Sequence, residues 1–181
     1  MERKLALIAL FAALIAALGL IPKLTLAFGV PITAQTLGVM LCGTVLGAKR
    51  GAVAVLLFLL LVALGLPLLA GGRGGLGVFA APSVGFLIGW PVAAFVTGLI
   101  VERWNNAPLT LVASVASVIG GIVVLYIFGI VGMAIVLKKT LPEAALLVTA
   151  FIPGDVIKAV LAGFITAALA KARPQSVLSR V

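Results

Sequence analysis

The sequence predicts an all-α membrane protein with six transmembrane helices, and three observations carry that expectation. Apolar residues make up 64% of the chain and charged residues 9%, against roughly 25% charged in a soluble domain. The apolar runs are separated by short stretches that hold most of the Lys, Arg, Pro and Gly residues, as spans alternating with loops require. No polar stretch is long enough to build a soluble core, so residues 1–181 read as one integral-membrane domain. The net charge of +9, from 13 basic and 4 acidic residues, punctuates the apolar runs and is not gathered on one polar face. That is the pattern of membrane-flank charge, not of a nucleic-acid footprint.

The first helix is expected over residues 4–21. Arg3 and Lys4, the apolar run and Thr25-Leu26-Ala27 imitate a secretory signal, but the run is long for one, and it reads as a retained span. Ala9, Ala13 and Ala17 fall at every fourth position, with Ala12 and Ala16 beside them. Such a small-residue face lets another helix backbone approach closely in lipid, within the chain or from a partner. The second helix is expected over residues 32–48. Its start, PITAQT, is polar for a span. Thr33 and Thr36 suit backbone capping there, while Gln35, both donor and acceptor, is either a ligand contact or an interfacial polar residue. Lys49-Arg50-Gly51 predicts a tight charged turn, followed by a very apolar third helix over residues 52–65. Cys42 is the only cysteine, so no intramolecular disulfide forms, and it reads as a small buried hydrophobe.

Residues 66–85, LPLLAGGRGGLGVFAAPSVG, cannot be a stable helix interior at that glycine density. Irregular backbone in a membrane protein must be buried in protein or line a cavity, so this stretch reads as a lid or re-entrant loop. Arg73, between Gly72 and Gly74, is either an anion contact in the lid or an exposed base. The fourth helix, residues 86–101, carries Pro91 and also Trp90, which is an interfacial anchor or a pocket wall. A polar turn over residues 102–106 precedes the fifth helix at residues 109–137. At 1.5 Å per residue that helix is roughly 43 Å long, longer than a bilayer core of about 30 Å. The sixth helix begins near Leu141 or Pro142, is interrupted at Pro153-Gly154 and runs to Lys171. A polar, basic tail follows.

Six spans put Arg3, Lys4, Lys49, Arg50, Arg103, Lys171, Arg173 and Arg180 on one side, and Lys23, Arg73, Lys138 and Lys139 on the other. The positive-inside rule then places both termini in the cytoplasm. The Gly-rich loop lies outside, with Gln35, Arg73, Trp90, Asp155 and Lys158 able to converge in the outer half of the bundle.

Asp155 and Lys158, in FIPGDVIKA, are the anomaly of the chain. Three apart on a helix they share a face, and each alone costs about 2.5–3.5 kcal/mol at the centre of a membrane helix. They are either a structural ion pair or a ligand site. The chain has no histidine, and neither a nucleophile beside a base nor a metal-ligand cluster is evident, so no enzyme activity, metal or cofactor is expected. One Asp–Lys pair is close to neutral and makes a poor ion-selective ring. A lid, an aromatic wall and a few convergent polar groups suit a binding cavity for a small polar molecule.

PITAQT, GLPLLAGGRGG and FIPGDVIKA together resemble BioY, the biotin-binding S component of energy-coupling factor (ECF) transporters, and the likeness covers nearly the whole chain. The resemblance implies a six-helix protein of a prokaryotic plasma membrane that captures biotin from outside. It also implies partnership with a transmembrane coupling protein and two cytoplasmic ATPase subunits; this chain itself has no P-loop. By the same resemblance Asp155 and Lys158 fall on the family's ligand pair, and Gln35 in its PITxQT segment. Arg73 falls in the middle of the GGxGG lid, where Gly72 and Gly74 flank it. The Ala9, Ala13 and Ala17 face would meet the coupling protein. Phe86 stands where the family pattern GPTGGY ends in tyrosine, so a hydroxyl is lost there. Two poses remain open: the ureido ring on Asp155 and Lys158 with the carboxylate on Arg73, or the carboxylate on Lys158. The other function class open to the sequence is an autonomous channel or secondary transporter for another small anionic or vitamin-like solute.

Overall fold

Many large apolar side chains of this protein point outward, while several hydroxyl-bearing side chains are buried between its helices. Leu56, Leu60, Ile127 and Phe164 are exposed, whereas Thr44, Thr97, Ser117 and Thr166 are buried. Lipid tails are as apolar as leucine, so a membrane protein gains by closing helices over small residues and hydrogen bonds. Thr166 donates to the Thr44 hydroxyl (2.8 Å) and Thr97 to the Ala116 carbonyl (3.3 Å), each across a helix contact.

The computed structural model describes residues 2–27 and 29–180. Among them the long helices are α1 (Glu2–Leu18), α2 (Gln35–Leu46), α3 (Ala48–Ala63), α4 (Val84–Arg103), α5 (Leu109–Leu137) and α6 (Leu141–Ala172). By length and composition α4, α5 and α6 are able to cross a membrane. The other three are shorter, with 17 residues in α1, 12 in α2 and 16 in α3. α2 is buried along its length from Gly38 to Leu46 and packs against α1, α3, α4 and α6. It is the core of the bundle, as a helix apolar all round should be.

Several boundaries differ from expectation for local reasons. The second helix opens at Gln35, not Ile32, because β2 (Pro31–Ile32) pairs antiparallel with β1 (Leu24–Thr25). Thr33 Oγ1 then accepts the Gln35 N–H (3.3 Å) at the helix entry. The turn between α2 and α3 is the single residue Gly47 at φ 86°, and Lys49-Arg50-Gly51 forms the first turn of α3. Gly47 has no side chain to cap α3, and Glu102 of α4 does so instead, Oε1 accepting from the Ala48 N–H (2.9 Å). A carboxylate at a helix N-terminus is favoured by the dipole. α5 runs over the residues expected, with one π-helical stretch at Ile119–Val124. α6 opens on a capping box between Thr140 and Glu143. It tightens into a 3₁₀ turn at Thr149–Phe151, immediately before Pro153.

The tail is not a free polar end. Val177, Leu178 and Ser179 are buried, with Ser179 donating to the Thr44 carbonyl and Arg50 to the Leu178 carbonyl (3.3 Å). Arg3 donates to Gln175 Oε1 (3.0 Å), so both ends of the chain lie at one end of the bundle.

The α2–α3 corner rests on Gly98 of α4. A Cβ there would run into the backbone of Gly47 and Ala48. Gly98→Val should therefore cost about 1–3 kcal/mol by overpacking, read as a lowered unfolding midpoint in detergent. Gly77→Ala, with nothing within 4 Å of the added methyl, should leave that midpoint unchanged.

Candidate functional site

The site is built where α2, α4, α5 and α6 meet under the 66–83 loop. Pro153 lacks an N–H, and the 3₁₀ turn before it ends the preceding helical ladder. Asp155 consequently sits in the first turn of the following α-helical stretch, where the helix dipole favours its negative charge. Lys158 follows one turn later, and its Nζ lies 2.8 Å from Asp155 Oδ1. Asp155 is 4% exposed. A buried ion pair is tolerable only when its remaining lone pairs and protons are also satisfied. Thr36 of α2 does this twice, donating to Asp155 Oδ1 (3.2 Å) and accepting from Lys158 Nζ (3.0 Å). Tyr126 of α5 donates to the other carboxylate oxygen, Oδ2 (2.8 Å).

Thr36 is thus a member of the polar cluster and not a helix cap as the sequence suggested. Tyr126 was not singled out at all. The available signal was that it is the only tyrosine in the chain, set in an apolar helix, where a buried phenol needs an acceptor.

Beside this cluster opens a cavity lined among others by Thr33, Arg73, Ser83, Phe86, Trp90 and Phe151. Its wall is aromatic. Phe86 packs edge-on to Phe151 (centroids 5.7 Å apart) and to Tyr126 (6.3 Å), and Trp90 lies 6.0 Å from Phe58. Two buried polar atoms in the wall have no protein hydrogen-bond partner: Trp90 Nε1 and Ser83 Oγ. Such an atom costs about 1–3 kcal/mol unless something satisfies it.

Gln35 also borders the cavity, but its amide is committed elsewhere. Nε2 donates to the carbonyls of Ile15 (3.1 Å) and Leu68 (3.0 Å), and Oε1 accepts from the Ala70 N–H (2.9 Å). Gln35 therefore ties the loop to α1 and α2. The loop itself turns back between Leu69 and Arg73, which exchange both backbone hydrogen bonds, with Gly71 and Gly72 at positive φ. That turn brings Arg73, half-buried, into the cavity wall, its Nε donating to the Ala70 carbonyl (3.4 Å). Among the described residues no carboxylate pairs with Arg73, and burial lowers its pKa from the ordinary value. Gly72 is exposed, and Gly74 packs on the Leu66 carbonyl; neither lines the cavity. Ala9, Ala13 and Ala17 lie away from it on the exposed side of α1, while Phe11, Ala12 and Ile15 face inward.

The groups left free here are mostly donors. They are the third N–H of Lys158, the Arg73 terminal nitrogens, Trp90 Nε1 and the Ser83 hydroxyl. Asp155 Oδ2 keeps one acceptor position. The cavity fits a ligand with an anionic end, a second acceptor and at least one N–H, on an apolar body that packs against aromatic rings.

A model of the BioY family matches residues 2–175. The biotin transporter BioY of Rhodobacter capsulatus is 53% identical, over 99% of this chain and 100% of that protein. The one from Rhizobium etli is 58% identical over 90% of each. Among solved structures, the S-component for biotin from an ECF-type ABC transporter superposes with a TM-score of 0.87 at 31% identity. That match covers 94% of this chain and 92% of the other.

If the ion pair is internally balanced, breaking it should cost more than removing it. Lys158→Met leaves Asp155 buried without its cation and should lose about 3–5 kcal/mol of stability. The double change Asp155→Leu with Lys158→Met should recover most of that loss. Unfolding in detergent measures both, and equal destabilisation by the single and double variants would contradict the geometry.

Proposed function

This chain belongs to the BioY family, and we propose that it captures biotin and delivers it across the membrane as the substrate-specific subunit of an ATP-driven ECF transporter. One observation supports the ligand assignment above the others: the cavity combines a closed, neutral ion pair with a cation that has no carboxylate partner. Biotin has the matching asymmetry. Its ureido ring is neutral, with two N–H donors and a carbonyl, and its valerate tail ends in a carboxylate.

The ureido group suits Asp155 and Lys158. Oδ2 accepts a ureido N–H, and the free Lys158 N–H donates to the ureido carbonyl. Neither contact adds net charge to a cluster that is already neutral. The carboxylate suits Arg73, whose guanidinium offers a planar fork. Trp90 and Phe86 cover the bicyclic body, and Trp90 Nε1 and Ser83 Oγ supply donors along its edge. Charge-assisted hydrogen bonds of this kind run about twice as strong as neutral ones.

The remaining topology is proposed on the same basis. Residues 1–181 form one domain of six spans in the plasma membrane, with both termini cytoplasmic and the 66–83 loop outside as a lid. Support comes from the excess of basic residues at the end where the termini meet. ATP hydrolysis belongs to two cytoplasmic ATPase subunits, joined through a transmembrane coupling protein. The exposed Ala9, Ala13 and Ala17 stripe of α1 is the surface offered to that coupling protein, because small residues allow close helix approach.

Labelled-biotin binding to the purified protein tests the assignment. Asp155→Asn and Lys158→Ala should each weaken binding at least about tenfold, the loss of one charged hydrogen bond, and wild-type affinity in both would sink it. Arg73→Ala should reduce the preference for biotin over its methyl ester by about 10–100-fold. An unchanged preference would move the carboxylate to Lys158.

A further inference from the structure

A second cleft lies at the far end of the bundle, where the chain termini meet, and the ligand cavity shares none of its residues. It has two halves that share Arg50 and Glu102. The first is lined by Ala48, Lys49, Arg50, Phe95, Leu99 and Glu102. The second is lined by Arg50, Glu102, Asn105, Leu178, Ser179 and Arg180. The first half has apolar walls on the outer surface of α4, where Phe95 is 37% exposed and Leu99 stands one turn on. One further turn brings Arg103 and then Trp104, both exposed. An aromatic and a base following an apolar stripe mark the boundary between hydrocarbon and headgroups.

The charge in this cleft is not balanced. Among the described residues that line it, Lys49, Arg50 and Arg180 stand around one acid, Glu102, whose Oε1 already caps Ala48; Arg103 follows Glu102 on α4. Among the described residues none of these cations pairs with a carboxylate. Arg50 donates to the Leu178 carbonyl, and Arg180 to the Trp104 carbonyl (3.0 Å) and to Asn105 Oδ1. All of those acceptors are neutral. Arg180 Nε is buried with no protein partner.

We propose that this cleft binds an anionic phospholipid, with its phosphate on Arg50 and Arg180, Lys49 and Arg103 at the rim, and an acyl chain along Phe95 and Leu99. A free phosphate would use only the polar half. The lipid uses both, since basic pockets at the cytoplasmic ends of membrane helices favour anionic headgroups.

Native mass spectrometry of the full-length protein tests this, using an equimolar mixture of phosphatidylglycerol and phosphatidylcholine with matched acyl chains. Wild type should retain phosphatidylglycerol preferentially. Among the described residues Lys49 and Arg103 have no side-chain hydrogen-bond partner, so Lys49→Gln with Arg103→Gln removes charge alone. That variant should lower the preference by about fivefold per cation. Removing two charges elsewhere, by Lys138→Gln with Lys139→Gln, should leave the preference intact, and soluble glycerol 3-phosphate should not displace the lipid. Equal retention of the two lipids by wild type would overturn the proposal. So would equal losses from the two double variants, which would reduce the effect to net charge. Displacement by glycerol 3-phosphate would make the cleft a simple anion site and also overturn it.

Discussion

A carboxylate buried among apolar helices has to be answered from several directions at once, and Asp155 is answered from three. Lys158 comes from its own helix, Thr36 from α2 and Tyr126 from α5. These contacts fix the rotation of α2 and α5 relative to α6 more tightly than apolar packing does. Lipid provides little hydrophobic drive to choose between rotations of an apolar helix. Turning α5 so that Tyr126 leaves Oδ2 would strand a buried phenol and a buried carboxylate oxygen together. The polar cluster therefore acts as a register device for the bundle, and the cavity opens directly beside it.

The second fixed point is Gln35, the first residue of α2. Its three hydrogen bonds reach backbone atoms of α1 and of the loop that covers the cavity. The loop is glycine-rich, and its own backbone bonds are local: the Leu69–Arg73 turn and a 3₁₀ turn at Leu76–Ala80. One buried amide on the core helix holds its base at Leu68 and Ala70 and leaves the following turn to carry Arg73. Cluster and staple come from the same turn of α2, since Gln35 and Thr36 are adjacent. A shift of that turn moves the lid and the ion pair together.

How much of this the sequence disclosed depends on the range of the interaction. Long apolar runs with basic flanks marked α4, α5 and α6 almost to the residue, because lipid burial is a property of a whole segment. The Asp155–Lys158 pair was visible because both charges lie on one helical turn. The α2–α3 corner was misplaced because Lys49-Arg50-Gly51 has turn-like composition, while the real turn needs only Gly47 and a cap from Glu102, fifty-five residues away. Thr36 read as a cap, and Gln35 as a ligand contact or an interfacial residue, because their partners lie far along the chain, on α6 for Thr36 and on α1 and the loop for Gln35. Tyr126 and Ser83 went unread for the same reason. Side-chain pairings at long range leave no local periodicity.

The free donors in the cavity give its polarity a direction. Ion-pair closure leaves the Asp155–Lys158 end nearly neutral, and the Leu69–Arg73 turn brings an uncompensated cation to the wall from the loop side. The proposed pose follows that direction, with the anionic end of the ligand toward the loop and its neutral part toward the core. Trp90 Nε1 and Ser83 Oγ, both buried without protein partners, add a cost to the unliganded state that a ligand with acceptors removes. In the proposed pose, relief of that cost, about 1–3 kcal/mol for each atom, would contribute to the binding free energy. Because Arg73 sits on the loop, a carboxylate paired with it would touch the loop and the cavity at once, whereas a neutral analogue filling the aromatic half would make no such contact.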